Sequence, residues 1–100
     1  MKILNDILKE ELDRLTQLKK VYESKITKLP KGCLIKKNIK DHAYYYLNYR
    51  LGKKQIFRYI GKLSEKEIKD LLTGIEERRK FEKFLRQVKK DIKEIEKKIK

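Results

Sequence analysis

Apolar residues recur over the first thirty positions of the chain at the spacing of an α-helix. They follow one another at steps of three or four residues: Leu4, Leu8, Leu12, Leu15, Leu18, Tyr22, Ile26 and Leu29. Because an α-helix has about 3.6 residues per turn, these positions form one stripe along it. The pattern predicts a helix over residues 3–29, which Pro30 and Gly32 end.

A second helical pattern occupies the last third of the chain. Ser64 and Glu67 form a capping box, in which each side chain accepts a hydrogen bond from a backbone N–H of the first turn. Apolar residues then follow at steps of 4, 3, 4, 3 and 4: Phe81, Leu85, Val88, Ile92, Ile95 and Ile99. They form a coiled-coil seam in a helix over residues 64–99. Gly74 and Arg78 interrupt its heptad register, through a kink, a local change of partner or simple tolerance.

Between the two helical segments the pattern becomes that of β-strands. Residues 43–51 are rich in tyrosine, and residues 55–60 form a second run after a turn that begins at Gly52. A further strand at residues 33–39 joins the tyrosine-rich one through a turn at Lys40, Asp41 and His42. We expect a three-stranded antiparallel meander over residues 33–61.

Alternation along the tyrosine-rich strand assigns its residues to two faces. One face carries Tyr45, Leu47, Tyr49 and Leu51. The other face carries Tyr44, Tyr46, Asn48 and Arg50. We expect the first of these faces to point inwards, because it holds the leucines.

The order of the segments indicates an α+β fold, α-β-β-β-α. We expect the two long helices to form an antiparallel, coiled-coil-like pair with the small three-stranded antiparallel sheet at one end, because each apolar stripe must be covered. Residues 1–100 should form a single domain. One helical pair leaves part of each stripe half covered, so we also expect a homo-oligomer, a dimer formed through the helices.

Positive charge is concentrated in the strand region. The chain has 29 basic and 15 acidic residues, a net charge of +14. Residues 31–63 carry nine basic side chains and one acid, Asp41, whereas residues 1–30 carry seven and five, and residues 64–100 thirteen and nine. A cluster of one sign repels itself, and a phosphate-bearing partner relieves that repulsion. We therefore expect these cations to gather on one surface of the sheet.

Three tyrosines lie between these cations and suit stacking on unpaired bases: Tyr44, Tyr46 and Tyr59. We expect a nucleic-acid-binding site whose phosphate contacts are Lys36, Lys37, Arg50, Lys53, Lys54 and Arg58, and whose stacking or hydrogen-bonding residues are Tyr44 and Tyr46. A two-stranded ribbon can also enter a DNA major groove, so DNA and RNA both stay open as ligands. The same charges also suit a structural sheet whose lysines prevent edge-to-edge pairing, or a surface for an acidic protein or lipid.

Catalytic and metal-binding patterns are missing from the sequence. Cys33 and His42 are the one cysteine and the one histidine, and no set of ligands has the spacing of a zinc site. We expect no catalytic residues, no cofactor and no metal, and so a protein that is not an enzyme. The amino terminus lacks the apolar run of a signal peptide, and no segment has the roughly 20 apolar residues of a membrane span. We expect a cytoplasmic protein with no membrane partner.

The stretch YYYLNYRLGKKQIFRYIGKLS resembles the centre of a family of small uncharacterised bacterial, archaeal and phage proteins. The matching residues are Leu29, Pro30, Gly32, Tyr44 to Leu47, Tyr49, Arg50, Gly52, Lys53, and Tyr59 to Lys62. The stretch is more distantly similar to the amino-terminal β-sheet of some transposases and phage-type integrases. That likeness implies contact with the arm of a DNA site.

These observations predict a small, non-enzymatic, basic protein that binds nucleic acid through its sheet and oligomerises through its helices. The alternative is a coiled-coil interaction module, or a mobile-element or phage protein that binds and inhibits a nucleic-acid-processing machine. In the alternative the helices carry the partner site, and charge reversal at Arg50, Lys53 and Arg58 leaves the function intact.

Overall fold

A computed structural model describes residues 2–99 of the chain. It contains two helices and three strands: α1 (Lys2–Thr27), β1 (Cys33–Ile39), β2 (His42–Leu51), β3 (Lys54–Gly61) and α2 (Glu65–Lys98). The predicted α+β class and the order α-β-β-β-α are confirmed. The chain forms two compact units, a helical unit with the residues up to Lys28 and from Arg79 onwards, and a sheet unit, Leu29–Arg78. The single domain over residues 1–100 stays a prediction.

In the helical unit, α1 and the second half of α2 pack together through their apolar stripes. Leu15 and Val88 are buried, with 4% and 6% of their surface exposed. Tyr22, near the end of α1, contacts Phe81 and Phe84 of α2, with ring centroids 5.9 and 5.7 Å apart. Aromatic side chains therefore close one end of this core.

Electrostatics in the helical unit show the direction in which the helices pair. Arg14 donates a hydrogen bond to Glu11, and this bond lowers the pKa of the Glu11 carboxyl and raises that of the Arg14 guanidinium. The charge of Asp91 adds to the rise in the pKa of Arg14. Arg14 precedes Tyr22 along α1, and Asp91 follows Phe81 along α2. The two helices therefore run antiparallel, as expected for two helices joined by a segment that turns the chain back.

In the sheet unit, β2 lies between β1 and β3 and pairs antiparallel with each, so the predicted meander is confirmed. Lys40 and Asp41 both have positive φ, 48° and 67°, and make a two-residue turn. His42, which we expected in this turn, is instead the first residue of β2, because two residues of this conformation suffice to reverse the chain. A bulge between Tyr45 and Tyr46 shifts the register with β3.

The segment that follows α1 explains the interruption of the heptad register in α2. Arg78 donates from its Nη1 to the backbone oxygen of Leu29, at 2.8 Å. A Cβ atom on Gly74 would lie 2.9 Å from the Cγ and Cδ of Pro30, so only glycine allows this approach. The interruption is thus a local change of partner, since both residues contact the segment at 29–30. Pro30 also accounts for the end of α1 at Thr27, because the residue before a proline avoids helical φ and ψ.

The core of the sheet unit contains buried residues of β2 and of the first half of α2, and Leu47 of β2 lines a groove together with Leu71 of α2. Tyr45 and Leu47 of β2 are each 8% exposed, and Ile75 of α2 is 4% exposed. The predicted capping box begins α2: Glu67 N–H donates to Ser64 Oγ at 3.2 Å, and Ser64 N–H donates to Glu67 Oε1 at 3.4 Å. The leucine-bearing face is thus the inward face, as expected.

Candidate nucleic-acid interface

The strand register divides the sheet into a covered face and an open face, because directly paired residues point to the same side. The covered face holds Tyr45 and Leu47 together with their cross-strand partners Lys36, Leu34 and Arg58. The open face holds the alternate residues: Cys33, Ile35, Lys37, Ile39, His42, Tyr44, Tyr46, Asn48, Arg50, Gln55, Phe57 and Tyr59. None of these open-face residues is buried.

Three tyrosines form an aromatic cluster on the open face: Tyr44, Tyr46 and Tyr59. The Tyr59 ring centroid lies 5.2 Å from that of Tyr46, its direct cross-strand partner, and 6.4 Å from that of Tyr44. The interplanar angles are 56° and 41°, so the rings are tilted against one another. Tyr59 is 57% exposed, which is unusual for so large an apolar ring.

Two lysines place their charges beside the aromatic cluster. The Nζ of Lys37 lies 5.1 Å from the ring centroid of Tyr46, and the Nζ of Lys62 lies 5.8 Å from that of Tyr44. Both are cation–π distances, at which the ammonium is attracted by the ring. The open face therefore presents positive charge and exposed rings together.

Further apolar surface extends the cluster along the open face. Phe57 on β3 is 56% exposed, and Ile39 at the end of β1 is 49% exposed. Ile39 and the aromatic cluster line a shallow groove of about 350 Å³. Asn48 accepts a hydrogen bond from the Gln55 side chain, so these two amides partly satisfy each other. A flat ligand can lie on this surface with polar groups and cations at its rim.

The eight predicted site residues do not all lie on one surface. Four of them lie on the open face: Lys37, Tyr44, Tyr46 and Arg50. Lys36, Lys54 and Arg58 belong to the covered face by register, and Lys53 lies in the turn between β2 and β3. Our expectation of one cationic surface is therefore wrong in part, because consecutive lysines in a strand point to opposite sides.

Arg58 has acidic neighbours that the sequence pattern did not reveal. It lines a groove on the covered face together with Glu67 and Asp70 from the start of α2. Leu47 and Pro30 line the same groove. Because this groove is on the covered face, Arg58 is a poorer candidate than Lys37 or Arg50 for contact with a strand bound at the aromatic cluster.

Three residues of the candidate interface were missing from the eight predicted site residues, although the sequence marked Tyr59 as a stacking aromatic and Lys62 as one of the clustered cations: Phe57, Tyr59 and Lys62. Phe57 and Tyr59 are two positions apart on β3, which is the spacing of one face of a strand. That spacing could have identified them as a pair. The approach of Lys62 to Tyr44 could not have been predicted, because it depends on the bulge that shifts β3 against β2.

Residues 2–99 contain neither a candidate metal site nor a candidate membrane span. No three His, Cys, Asp or Glu side chains of these residues come together as a possible metal site. Every buried side-chain nitrogen or oxygen in the same range has a hydrogen-bond partner. In the described part of the chain, no helix combines the length and the apolar character needed to cross a membrane.

The fold and this surface define a small α+β protein with a basic, aromatic sheet. The chain belongs to the family described as a domain of unknown function (DUF6788), whose model matches residues 4–70. The match covers α1, the sheet and the beginning of α2. No curated protein and no solved structure matches the chain. The likeness to transposases and phage-type integrases is therefore not shown by these comparisons.

Proposed function

We propose that this protein binds single-stranded nucleic acid on the open face of its sheet and catalyses no reaction. The observation that carries the proposal is the aromatic cluster, Tyr44, Tyr46 and Tyr59, which lies on the open face with two lysine ammonium groups beside its rings. Tyr59 is exposed and Tyr44 and Tyr46 are half-buried, and a group of adjacent rings of this kind is a platform on which unpaired bases can stack.

Stacking accounts for the exposure of the aromatic rings. Burying a ring such as Tyr59 or Phe57 would stabilise the fold by roughly 2 kcal/mol, yet each leaves more than half of its surface in water. Stacking of a base on an aromatic side chain contributes about 1–3 kcal/mol and does not depend strongly on the base. Stacking of an unpaired strand on these rings is therefore more favourable in free energy than leaving them hydrated.

Lysines at the edge of the cluster would neutralise the phosphates of the bound strand. Lys37 and Lys62 lie over the rings of Tyr46 and Tyr44, and Arg50 lies further along the same face of β2. Each neutralised phosphate releases counterions, so binding should weaken steeply as salt rises. A paired duplex hides its bases and could use only the cations, so single strands should bind more tightly to this face.

The test is a titration of labelled single-stranded RNA and DNA, each about 12 nucleotides long, at several salt concentrations. The chain has six tyrosines and no tryptophan, so quenching of tyrosine fluorescence reports stacking directly. Tyr59→Ala should lower affinity roughly tenfold and reduce the quenching. The absence of binding at low salt, or binding without any quenching, would overturn the proposal.

A matched pair of double variants separates this site from general positive charge. K37Q/K62Q removes the two cations beside the rings, and K36Q/K54Q removes two cations from the covered side of the same strands. The first pair should reduce the slope of log affinity against log salt by about 1.4, and the second should leave it almost unchanged. Equal losses for the two pairs would contradict a specific site on the open face.

Exposed apolar residues favour a second candidate function, a protein-interaction module that pairs through its helices. Ile3, Leu4 and Ile7 at the start of α1 are 77%, 55% and 56% exposed. Covering them with a second copy would also give the predicted dimer. Light scattering measures the mass, and I3Q/I7Q should convert a dimer to a monomer. A monomeric wild-type protein at high concentration would remove this candidate.

A further inference from the structure

The second half of α2 carries a regular stripe of positive charge that the sheet site does not use. Five basic residues follow one another at steps of 3, 4, 3 and 4, and we call them the basic stripe: Lys83, Arg86, Lys90, Lys93 and Lys97. Arg79 continues the same spacing one turn earlier. Because these steps average 3.5 residues, the five side chains lie along one side of the helix. All five are exposed.

The basic stripe lies opposite the apolar seam of α2. Each of its members precedes a seam residue by two positions, as Arg86 precedes Val88 and Lys90 precedes Ile92. Two residues correspond to about 200° around the helix axis. Val88 is buried, with 6% of its surface exposed, so the opposite side of α2 points away from the helical core. The stripe is therefore an open, linear surface of the helical unit.

Acidic residues of the same helix lie mostly to the sides of the stripe. Asp91 accepts a hydrogen bond from Gln87 at 3.0 Å, and its charge raises the pKa of Arg14 on α1. Asp91 therefore interacts with the α1 side of the helical unit rather than with the stripe. Glu82 and Glu96 each lie next to a seam residue in the sequence. Glu82, four residues before Arg86, and Glu94, four residues after Lys90, are the acids closest to the stripe. The stripe thus keeps a strongly positive potential along its length.

We propose that the basic stripe binds the phosphate backbone of a nucleic-acid duplex, as a second contact surface separate from the sheet. From Lys83 to Lys97 the stripe extends about 21 Å, at about 1.5 Å per residue. A duplex of that length carries about 12 phosphates at one charge per 1.7 Å. Five long, mobile cations along one side of the helix can neutralise those phosphates that face them, without reading any base.

Two features of the stripe favour a duplex over other anionic partners. It contains no aromatic residue, so it cannot hold unpaired bases by stacking as the open face can. An interfacial membrane helix inserts its apolar side between lipids, but here that side is buried against α1. Contact with a duplex backbone requires only a row of exposed positive charges, and the stripe provides such a row.

The test compares two triple variants of the full chain with the same loss of charge. R86Q/K90Q/K93Q removes the centre of the stripe, and K9Q/K20Q/K28Q removes three exposed cations from α1 and the residue that follows it. Binding of a labelled 20-base-pair duplex of RNA or DNA is measured against salt. The stripe variant should lose up to about 2.7 from the log–log salt slope and about tenfold or more in affinity, whereas the α1 variant should lose much less. Circular dichroism verifies that both variants keep their helices.

The outcomes separate this proposal from the sheet site. Loss of duplex binding in the stripe variant, with single-strand binding and tyrosine quenching retained, supports the stripe. Equal losses in the two triple variants, or no duplex binding by the wild type at low salt, overturn it. Binding of the stripe to phosphatidylserine vesicles but not to the duplex also overturns it. Glu94→Gln should strengthen duplex binding and leave single-strand binding unchanged, and the absence of that gain would count against the stripe.

Discussion

The two faces of the sheet contain similar residues and lie in very different surroundings. Tyr45 on the covered face is 8% exposed, whereas Tyr59, one strand away on the open face, is 57% exposed. Cations do not distinguish the faces, because Lys36 and Arg58 belong to one by register and Lys37 and Arg50 to the other. What distinguishes them is whether the aromatic rings have a protein cover.

This difference indicates where function should be sought in a very basic protein. Lysine is frequent throughout the chain, so a lysine on the surface carries little information. A group of touching aromatic rings left in water costs stability that the covered face shows the fold could have gained. The open face is therefore the better candidate for a binding site, and substitutions on and around the two faces can test that contrast.

The largest expected effect is that of Gly32→Ala, which should disrupt both faces together. Gly32 has φ of 98°, and a Cβ there would lie 2.2 Å from the backbone oxygen of Asn48. Thermal or urea unfolding should show a loss of about 3 kcal/mol or more. Gly52→Ala is the control, because Gly52 also has positive φ, 63°, but no atom lies within 4 Å of its added Cβ. A Gly32 variant no less stable than the Gly52 variant would contradict the close approach.

Truncation on each face should separate stability from binding. Leu47→Ala removes a buried side chain of the covered face and should cost about 3 kcal/mol of unfolding free energy. Tyr59→Ala on the open face should cost less than about 1 kcal/mol, because that ring is already largely hydrated. Urea denaturation of the two variants measures the difference. Equal destabilisation would mean that the open face is structural rather than a binding surface.

Gly74→Ala should lower the free energy of unfolding by less than Gly32→Ala or Leu47→Ala does, because it disturbs only the packing of α2 against Pro30. The added methyl would lie 2.9 Å from two ring carbons of Pro30, which lines the same groove as Leu47. Overpacking of this kind lowers the free energy of unfolding by about 1–3 kcal/mol, and the higher helix propensity of alanine raises it by about 1 kcal/mol. A net loss of about 1 kcal/mol in chemical unfolding is expected. Stabilisation would instead show that α2 and Pro30 can separate freely.

The smallest effect should come from Asp41→Gly in the turn between β1 and β2. Asp41 has φ of 67°, a conformation that glycine adopts without strain, so unfolding should become harder by about 0.5–1 kcal/mol. Asp41→Ala should have the opposite sign. Neither change touches the aromatic cluster, so single-strand affinity should stay within about twofold of the wild type. A large change in affinity would imply that the turn belongs to the site.

Periodicity along the chain was enough to predict the elements but not all of their junctions. The stripe that contains Leu15 and the seam that contains Val88 each predicted a helix, and both residues are buried between the two helices. Gly74 and Arg78 were recognisable as an interruption, yet its cause lay in contacts with Leu29 and Pro30, more than forty positions away. Such contacts leave no signature in local spacing.

The candidate site was predictable in its composition more than in its geometry. Tyr44 and Tyr46 alternate on one strand, and this alone placed them together. Tyr59 joins them because the pairing of β2 with β3 brings it opposite Tyr46, with a bulge beside the pair. A shift by one residue would have turned Tyr59 to the covered face.

The sequence by itself determined the helices, the strands and the excess of positive charge, because these depend on residue type and on spacing within a few turns. Tertiary structure decided which face of the sheet is covered and which rings stay in water. That choice depends on the register of three strands and on the residues that pack across one face, and neither is encoded in any single segment. The same tyrosines would form a core in one register and a surface in the other.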